Sequence, residues 1–177
     1  TGATFHEVNF TGADLSRSDF SQALLSLSKL DGAQARKVRF QKTEIAQGSA
    51  KECTFVECDL SQVRFLGTAL QKSHWEKCNL TQAAFPGCDL SDTTMNEVQL
   101  RDAWMPRVNL TRGKIQNSDL TDAMLNDADC TAVHFSKVLL DQAILDSSAF
   151  DGGSLREIQG KEISFRGAKL SKEPDTV

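Results

Sequence analysis

The sequence contains no tyrosine and, among 177 residues, only three prolines and three histidines. It also lacks an apolar run near the ~18 residues that a membrane-spanning helix needs, a signal-peptide pattern and a basic arm. The formal net charge of −4 argues against direct attraction to nucleic acid or to an anionic membrane. We therefore predict no nucleic-acid partner and no membrane insertion.

Phenylalanine is absent from all positions except one series, the residues whose numbers are multiples of five, from Phe5 to Leu170. All 10 phenylalanines and 15 leucines belong to this series of 34 positions. The residue two positions earlier is small in 32 of the 34 cases, the exceptions being Ile158 and Ile163. A five-residue period without insertions fits neither a helix nor an ordinary strand, so it indicates a repeat architecture.

Residues 11–15 and 86–90 show the motif clearly, because the last three positions of each range are a small residue, Asp and Leu. Over the chain the pattern is a small residue, then Asp or Asn, then Leu or Phe, followed by two mostly polar residues. This pattern resembles that of the pentapeptide-repeat family over nearly the whole chain. The resemblance implies an all-β fold, a right-handed, four-sided parallel β-helix with four blocks per twenty-residue coil and about 8.5 coils. We predict a single domain over residues 1–170 and a polar tail over residues 171–177. The resemblance implies a scaffold and says little about function.

A twenty-residue coil distributes the core series over four sides. Side one contains Phe5 and every twentieth residue after it, and sides two, three and four start at Phe10, Leu15 and Phe20. Each side is then a column of stacked apolar residues, and burying each Leu or Phe contributes about 1.5–3 kcal/mol. The small residues share the crowded interior.

Three parts of the repeat are weaker than the rest. In residues 31–50, two alanines stand where leucine is usual, so we expect either compensation by neighbouring coils or a bend. The chain begins within the pattern and without Met, and we expect more sequence or a partner to cover its first coil. Gly160 removes a core side chain, and Ile158 and Ile163 are expected to refill the gap.

The five cysteines all fall on interior positions: Cys53, Cys58, Cys78 and Cys88 on small ones and Cys130 on a core one. Adjacent strands lie ~4.8 Å apart, which is wider than a relaxed disulfide prefers. No histidine is placed to complete a metal site with them. We predict buried free thiols and a reducing, cytoplasmic location; delivery to a host or target cell as part of a larger protein is the alternative.

The sequence offers no catalytic constellation. His74 and His134 lie on the same side but three coils apart, ~14 Å, too far to share a metal or a proton. The Asp and Asn residues that precede core positions recur as part of the motif, and we interpret them as turn-stabilising: Asp14, Asp19, Asp59, Asn79, Asp89, Asn109, Asp119 and Asp129. There is no phosphate-binding loop. We predict no catalytic residue, no cofactor, no metal and no enzymatic activity.

One face of the predicted rod departs from the usual polarity. The residue before each core position is normally polar, but on side one four consecutive coils have apolar residues there, and three more apolar residues follow core positions of the same side. We call this set the Trp104 strip: Leu66, Ala84, Pro86, Trp104, Pro106, Met124 and Ile144. An apolar patch centred on Trp and rimmed by Arg64, Arg107 and Asp127 is typical of a protein interface. We predict that a protein partner or a second copy binds here; the alternatives are an apolar ridge with no binding role and a surface that is covered by chain outside this sequence.

A second departure is an acidic belt in residues 116–155, where seven aspartates face a single base, Lys137. Some members of the pentapeptide-repeat family resemble duplex DNA in shape and charge and bind type II topoisomerases, but they are usually acidic along the whole rod. We therefore predict a bacterial, non-enzymatic protein-binding or spacer module. The alternatives are a topoisomerase-binding DNA mimic and a module of a secreted effector or secretion-system adaptor.

Overall fold

The computed structural model describes residues 1–169, which form a four-sided parallel β-solenoid of about eight turns; none of these residues is helical. Each paired residue lies opposite the residue twenty positions later, as in Thr4 and Leu24. The predicted register and fold class are therefore confirmed. The predicted tail, residues 171–177, lies outside the described residues.

Three-residue strands occupy sides one and three, and they form two parallel sheets. The sheet of side one contains β1 (Thr4–His6), β2 (Leu24–Ser26), β4 (Glu44–Ala46) and β6 (Arg64–Leu66). The sheet of side three contains β3 (Gln34–Arg36), β5 (Thr54–Val56), β7 (His74–Glu76), β8 (Thr94–Asn96), β9 (Lys114–Gln116), β10 (His134–Ser136) and β11 (Ser154–Arg156). Sides two and four are held by single bridges, such as Asp59 to Asn79.

The chain turns a corner after every core residue, and every corner has a residue with positive φ. Such residues recur at all 34 corners from Gly2 to Gly167, and 27 of them are not glycine, with φ between 51° and 63°. At many corners the core carbonyl also accepts a hydrogen bond from the N–H three residues later, as Phe10 does from Ala13 at 3.0 Å. That bond, with positive φ at the third residue and not the second, defines a type II turn.

Side one changes its corners at Phe85. From there on, the core carbonyl accepts the turn hydrogen bond, beginning with Cys88 N–H to Phe85 at 3.1 Å. Pro86 and Gly87 occupy the two central positions, which suit Pro and Gly in a type II turn. The four earlier coils of this side carry strands through the equivalent positions. The Pro-Gly pair is thus a turn motif, and Pro86 serves the corner as well as the apolar surface.

The core is a continuous column of buried side chains, with aromatic rings concentrated in its first half, from Phe5 to Phe85. Phe55 stacks on Trp75 with ring centroids 4.1 Å apart, and Phe65 stacks on Phe85 at 5.0 Å. The indole N–H of Trp75 donates to the Ser73 hydroxyl at 2.7 Å, so this buried tryptophan has a polar partner.

The predicted weak places are compensated by their neighbours. Phe40 is fully buried and stacks on Phe20 with centroids 5.2 Å apart, and the side-one ladder passes through residues 31–50 without a break. At the other end, Ile163 Cδ1 lies 2.8 Å from where a Cβ on Gly160 would be. Ile163 therefore refills the gap beside Gly160, and Ile158 packs partly buried against the core.

Candidate functional site

The Trp104 strip forms a vertical column on side one. Single bridges connect Ala84 to Trp104, Trp104 to Met124, and Met124 to Ile144. Trp104 is 48% exposed and Met124 is 39% exposed, whereas Ala84 and Ile144 are half-buried. The indole points outward because the adjacent Met105 is fully buried and occupies the core position.

A shorter apolar column runs beside the first one. Leu66, Pro86 and Pro106 are half-buried and lie two residues further along the chain than the outward residues of their coils. Since a strand advances ~3.3 Å per residue, the two columns lie about 6.6 Å apart. The structure thus brings the seven predicted residues together on one face.

The charged rim differs from the predicted one. Arg64 forms an ion pair with Glu44 at 3.0 Å, so it is engaged within the rod. Arg107 and Asp127 are exposed at the corner after side one. Two further carboxylates, Asp102 and Asp122, are exposed at the corner before it; Asp102 was missed, and Asp122 was assigned only to the acidic belt. The sequence contains the signal for this position, because Asp102 precedes Trp104 by two residues and Asp122 precedes Met124 by two residues.

The recurrent Asp and Asn residues have the turn role that was predicted. Each accepts a hydrogen bond from the backbone N–H two residues later through its side chain, and Asp19 accepts that of Ser21 at 2.9 Å. Hydrogen bonds from Ser21 lower the pKa of Asp19 to about 2. The same bond is made by Asn9, Asp14, Asp59, Asn79, Asp89, Asn109, Asp119 and Asp129.

The five cysteines are buried and free, as predicted. Burial raises the pKa of Cys53 and of Cys130 to about 12 and that of Cys88 to about 11, so these thiols are protonated and unreactive at neutral pH. The Cys53 thiol donates to the Leu30 carbonyl at 2.7 Å. The hydrogen bond between the Cys58 and Cys78 thiols, together with burial, raises the pKa of Cys78.

The histidines that were considered as ligands contact hydroxyl groups instead. His74 Nδ1 lies 2.6 Å from the Thr94 hydroxyl, and His134 Nδ1 lies 2.8 Å from that of Ser154. Over residues 1–169, no group of three or more His, Cys, Asp or Glu side chains is arranged to hold a metal ion. Within the same residues there is no helix that could cross a bilayer.

Comparison with known proteins places the chain in a family. The model for a pentapeptide repeat region matches residues 46–105, and the model for pentapeptide repeats in eight copies matches residues 1–43 and 107–142. The chain therefore belongs to the pentapeptide-repeat family, whose members are in general non-catalytic structural and interaction proteins. No curated protein matches the sequence.

Two solved structures show the same architecture. HetL, a pentapeptide-repeat protein involved in heterocyst differentiation regulation in the cyanobacterium Nostoc, is 16% identical with a TM-score of 0.55; the match covers 94% of this chain and 88% of HetL. A trypsin-treated variant of QnrB1, a plasmid-mediated fluoroquinolone resistance protein, is 19% identical with a TM-score of 0.50; the match covers 97% of this chain and 88% of that protein. At these identities the likeness concerns the fold.

Proposed function

We propose that this protein is a non-enzymatic protein-binding module in which the rod presents the Trp104 strip to a partner. The observation that carries the proposal is the exposure of Trp104 and Met124 on adjacent coils, between half-buried Ala84 and Ile144. Core packing does not require these residues, because the core positions beside them are filled by Met105 and Leu125. Large apolar side chains that serve no core are typical of interface centres.

The mechanism is rigid presentation. The backbone N–H groups of Trp104 and Met124 donate to Ala83 and Ala103 at 2.9 Å, so the ladder fixes both residues in place. A surface that is ordered before binding loses little backbone entropy on association.

Trp104→Ala tests the proposal, with Leu24→Ala as its matched control. Leu24 is an exposed apolar residue of the same side, 36% exposed, but it lies outside the strip. Because an interfacial tryptophan often contributes about 2 kcal/mol or more, Trp104→Ala should weaken association more than about tenfold, and Leu24→Ala should not. Affinity capture with the three proteins, quantified by mass spectrometry, gives the comparison. Equal capture by all three would contradict the proposal.

A further inference from the structure

The Trp104 strip is bordered by carboxylates that make no side-chain contact within the described residues. Asp102 and Asp122 lie on adjacent coils at the corner before side one, and Asp127 lies at the corner after it. All three are exposed, and no hydrogen bond or ion pair of their carboxylates is found in residues 1–169. Their backbone is fixed in the corner conformation, with φ of 54°, 58° and 58°.

In several other places the rod pairs acids with bases across neighbouring coils. Glu44 pairs with Arg64 at 3.0 Å and Asp19 with Arg39 at 2.8 Å. In both cases the partners are twenty residues apart, so the pairing follows from the repeat. Within residues 1–169, Asp102, Asp122 and Asp127 form no such pair, so three acids beside the strip are free to meet cations of a partner.

The charges around the strip sum to a negative value. Asp146 lies two residues after Ile144, and hydrogen bonding by Ser164 lowers its pKa, so it is ionised at neutral pH. Together with Asp102, Asp122 and Asp127 it makes four carboxylates, against the two exposed guanidinium groups of Arg107 and Arg166, the latter also lowering the pKa of Asp146. The arithmetic is four acids minus two bases, a net charge of −2.

The spacing of the strip favours a helix that lies along the rod. With coils ~4.8 Å apart, Ala84 and Ile144 are about 14 Å apart. A helix advances ~5.4 Å per turn, so three turns differ from three coil spacings by only about 2 Å. An extended segment repeats on one face every ~6.7 Å and falls out of step with the coils after one repeat.

We infer that the Trp104 strip binds an amphipathic helix of a partner protein whose apolar face is flanked by Lys or Arg, an inference that rests on the function proposed above. The apolar face covers Trp104 and Met124, and the flanking cations meet Asp102 and Asp122 on one side and Asp127 on the other. In this mode of recognition, apolar residues spaced by one turn of the partner helix contact successive coils of the rod. The acidic corners supply orientation and salt-dependent attraction.

A second copy of this chain fits the strip poorly. If two rods face each other antiparallel, the corner with Asp102 and Asp122 meets its own copy. If they face each other parallel, Asp122 meets Asp127 of the mate and Asp102 meets its Arg107, so one repulsive contact offsets one attractive contact. The antiparallel arrangement opposes like charges and the parallel one gains no net attraction, whereas a basic helix meets only opposite charges at Asp102, Asp122 and Asp127.

Two labelled synthetic peptides provide the probe. Both have the same leucine face at helical spacing, and one has lysines on its flanks where the other has glutamates. Fluorescence anisotropy should show that the lysine peptide binds the parent protein at least ~10-fold more tightly, and that the preference shrinks as salt rises from about 0.05 to about 0.5 M.

Matched charge variants locate the effect. The triple variant Asp102→Asn, Asp122→Asn, Asp127→Asn should lose the preference for lysine. A control variant removes three exposed carboxylates from other sides of the rod and should keep the preference: Glu52→Gln, Glu97→Gln, Asp151→Asn. Since both variants change the net charge equally, unspecific attraction would affect them alike.

The outcomes separate this inference from the proposed function. Equal binding of both peptides, or equal loss in both triple variants, overturns the inference. If Trp104→Ala abolishes partner capture while the acidic-corner variant keeps it, the proposed function stands and the inference fails. Strip-dependent self-association that competes with the lysine peptide would make a second copy the occupant and would also overturn it. If Trp104→Ala changes neither capture nor peptide binding, both are wrong.

Discussion

Side one has two halves that differ in backbone and in surface. Its first four coils carry β1, β2, β4 and β6, and their surface includes the Glu44–Arg64 ion pair. Its later coils, from residue 84, have single bridges and hydrogen-bonded turns, and their outward column is apolar. Side three has a single bridge and a hydrogen-bonded turn only in its first coil, at Asp14 and Leu15, and its strands then continue from Gln34 to Arg156.

The difference teaches that surface and core vary independently in this rod. Phe65, Phe85, Met105 and Leu125 are all fully buried, so the core column of side one crosses the boundary unchanged. The apolar residues of the later half therefore add exposed surface without adding to the core. A feature that the fold does not need is best explained by binding, which is why the proposals concern this half.

The largest expected effect is on the core that both halves share. Leu100 is fully buried in mid-rod on side four, so Leu100→Asp would bury a carboxylate without a partner. We expect a loss above ~4 kcal/mol, enough to unfold or fray both halves. Thermal melting followed by circular dichroism measures it, with Gln99→Asp at the exposed neighbouring position as the control. A parent-like melt for Leu100→Asp would contradict the register of the repeat.

The two tryptophans separate core from surface most directly. Trp75 is fully buried, stacked on Phe55 and hydrogen-bonded to Ser73, so Trp75→Ala should cost about 3–5 kcal/mol. Trp104→Ala should change the free energy of unfolding by less than about 0.5 kcal/mol, because the indole is on the surface. Denaturant titration of both variants tests the contrast. Similar losses in the free energy of unfolding would mean that Trp104 supports the fold. That result would contradict the proposal that the Trp104 strip is an interface.

Most of this comparison could be predicted from the sequence, because a strict period fixes which residues share a column. The side-chain positions of Leu100, Trp104 and Cys58 follow from their place in the block alone. The turn types did not follow, since 27 non-glycine residues adopt positive φ and only five of them are Asp or Asn, the types that tolerate it best. The ion pairs were also missed, because they join residues twenty apart and depend on rotamers. Partner, cellular location and the boundary at residue 170 stay predictions.

The change from strands to hydrogen-bonded turns on side one should have a smaller effect on stability. Leu66 is a ladder residue paired with Ala46, so Leu66→Pro removes an N–H from the sheet and should cost about 1–3 kcal/mol. Pro86 occupies a turn position that needs no N–H, and Pro86→Leu should cost only about 0.4–1 kcal/mol. Equilibrium unfolding in urea compares the two. If Leu66→Pro and Pro86→Leu lowered the free energy of unfolding equally, the backbone at Leu66 and at Pro86 would not differ as strand and turn.

The smallest effect concerns paired and unpaired carboxylates. Arg112 donates two hydrogen bonds of 2.7 Å to Asp92 and holds the pKa of that carboxyl below its usual value. Because the folded-state pKa lies below the unfolded-state one, the pair stabilises the protein above the unfolded-state value of ~4, and this contribution is lost as the pH falls through the folded-state value. Asp92→Asn should therefore lower the melting temperature slightly at pH 7, less at high salt and not at all in acid. Asp122→Asn, next to the Trp104 strip, should leave the melting temperature unchanged at pH 7, since the carboxylate of Asp122 forms no hydrogen bond or ion pair within residues 1–169. A loss of stability in Asp122→Asn equal to that in Asp92→Asn would show that the Asp122 carboxylate stabilises the fold. It would then be no evidence for a basic partner.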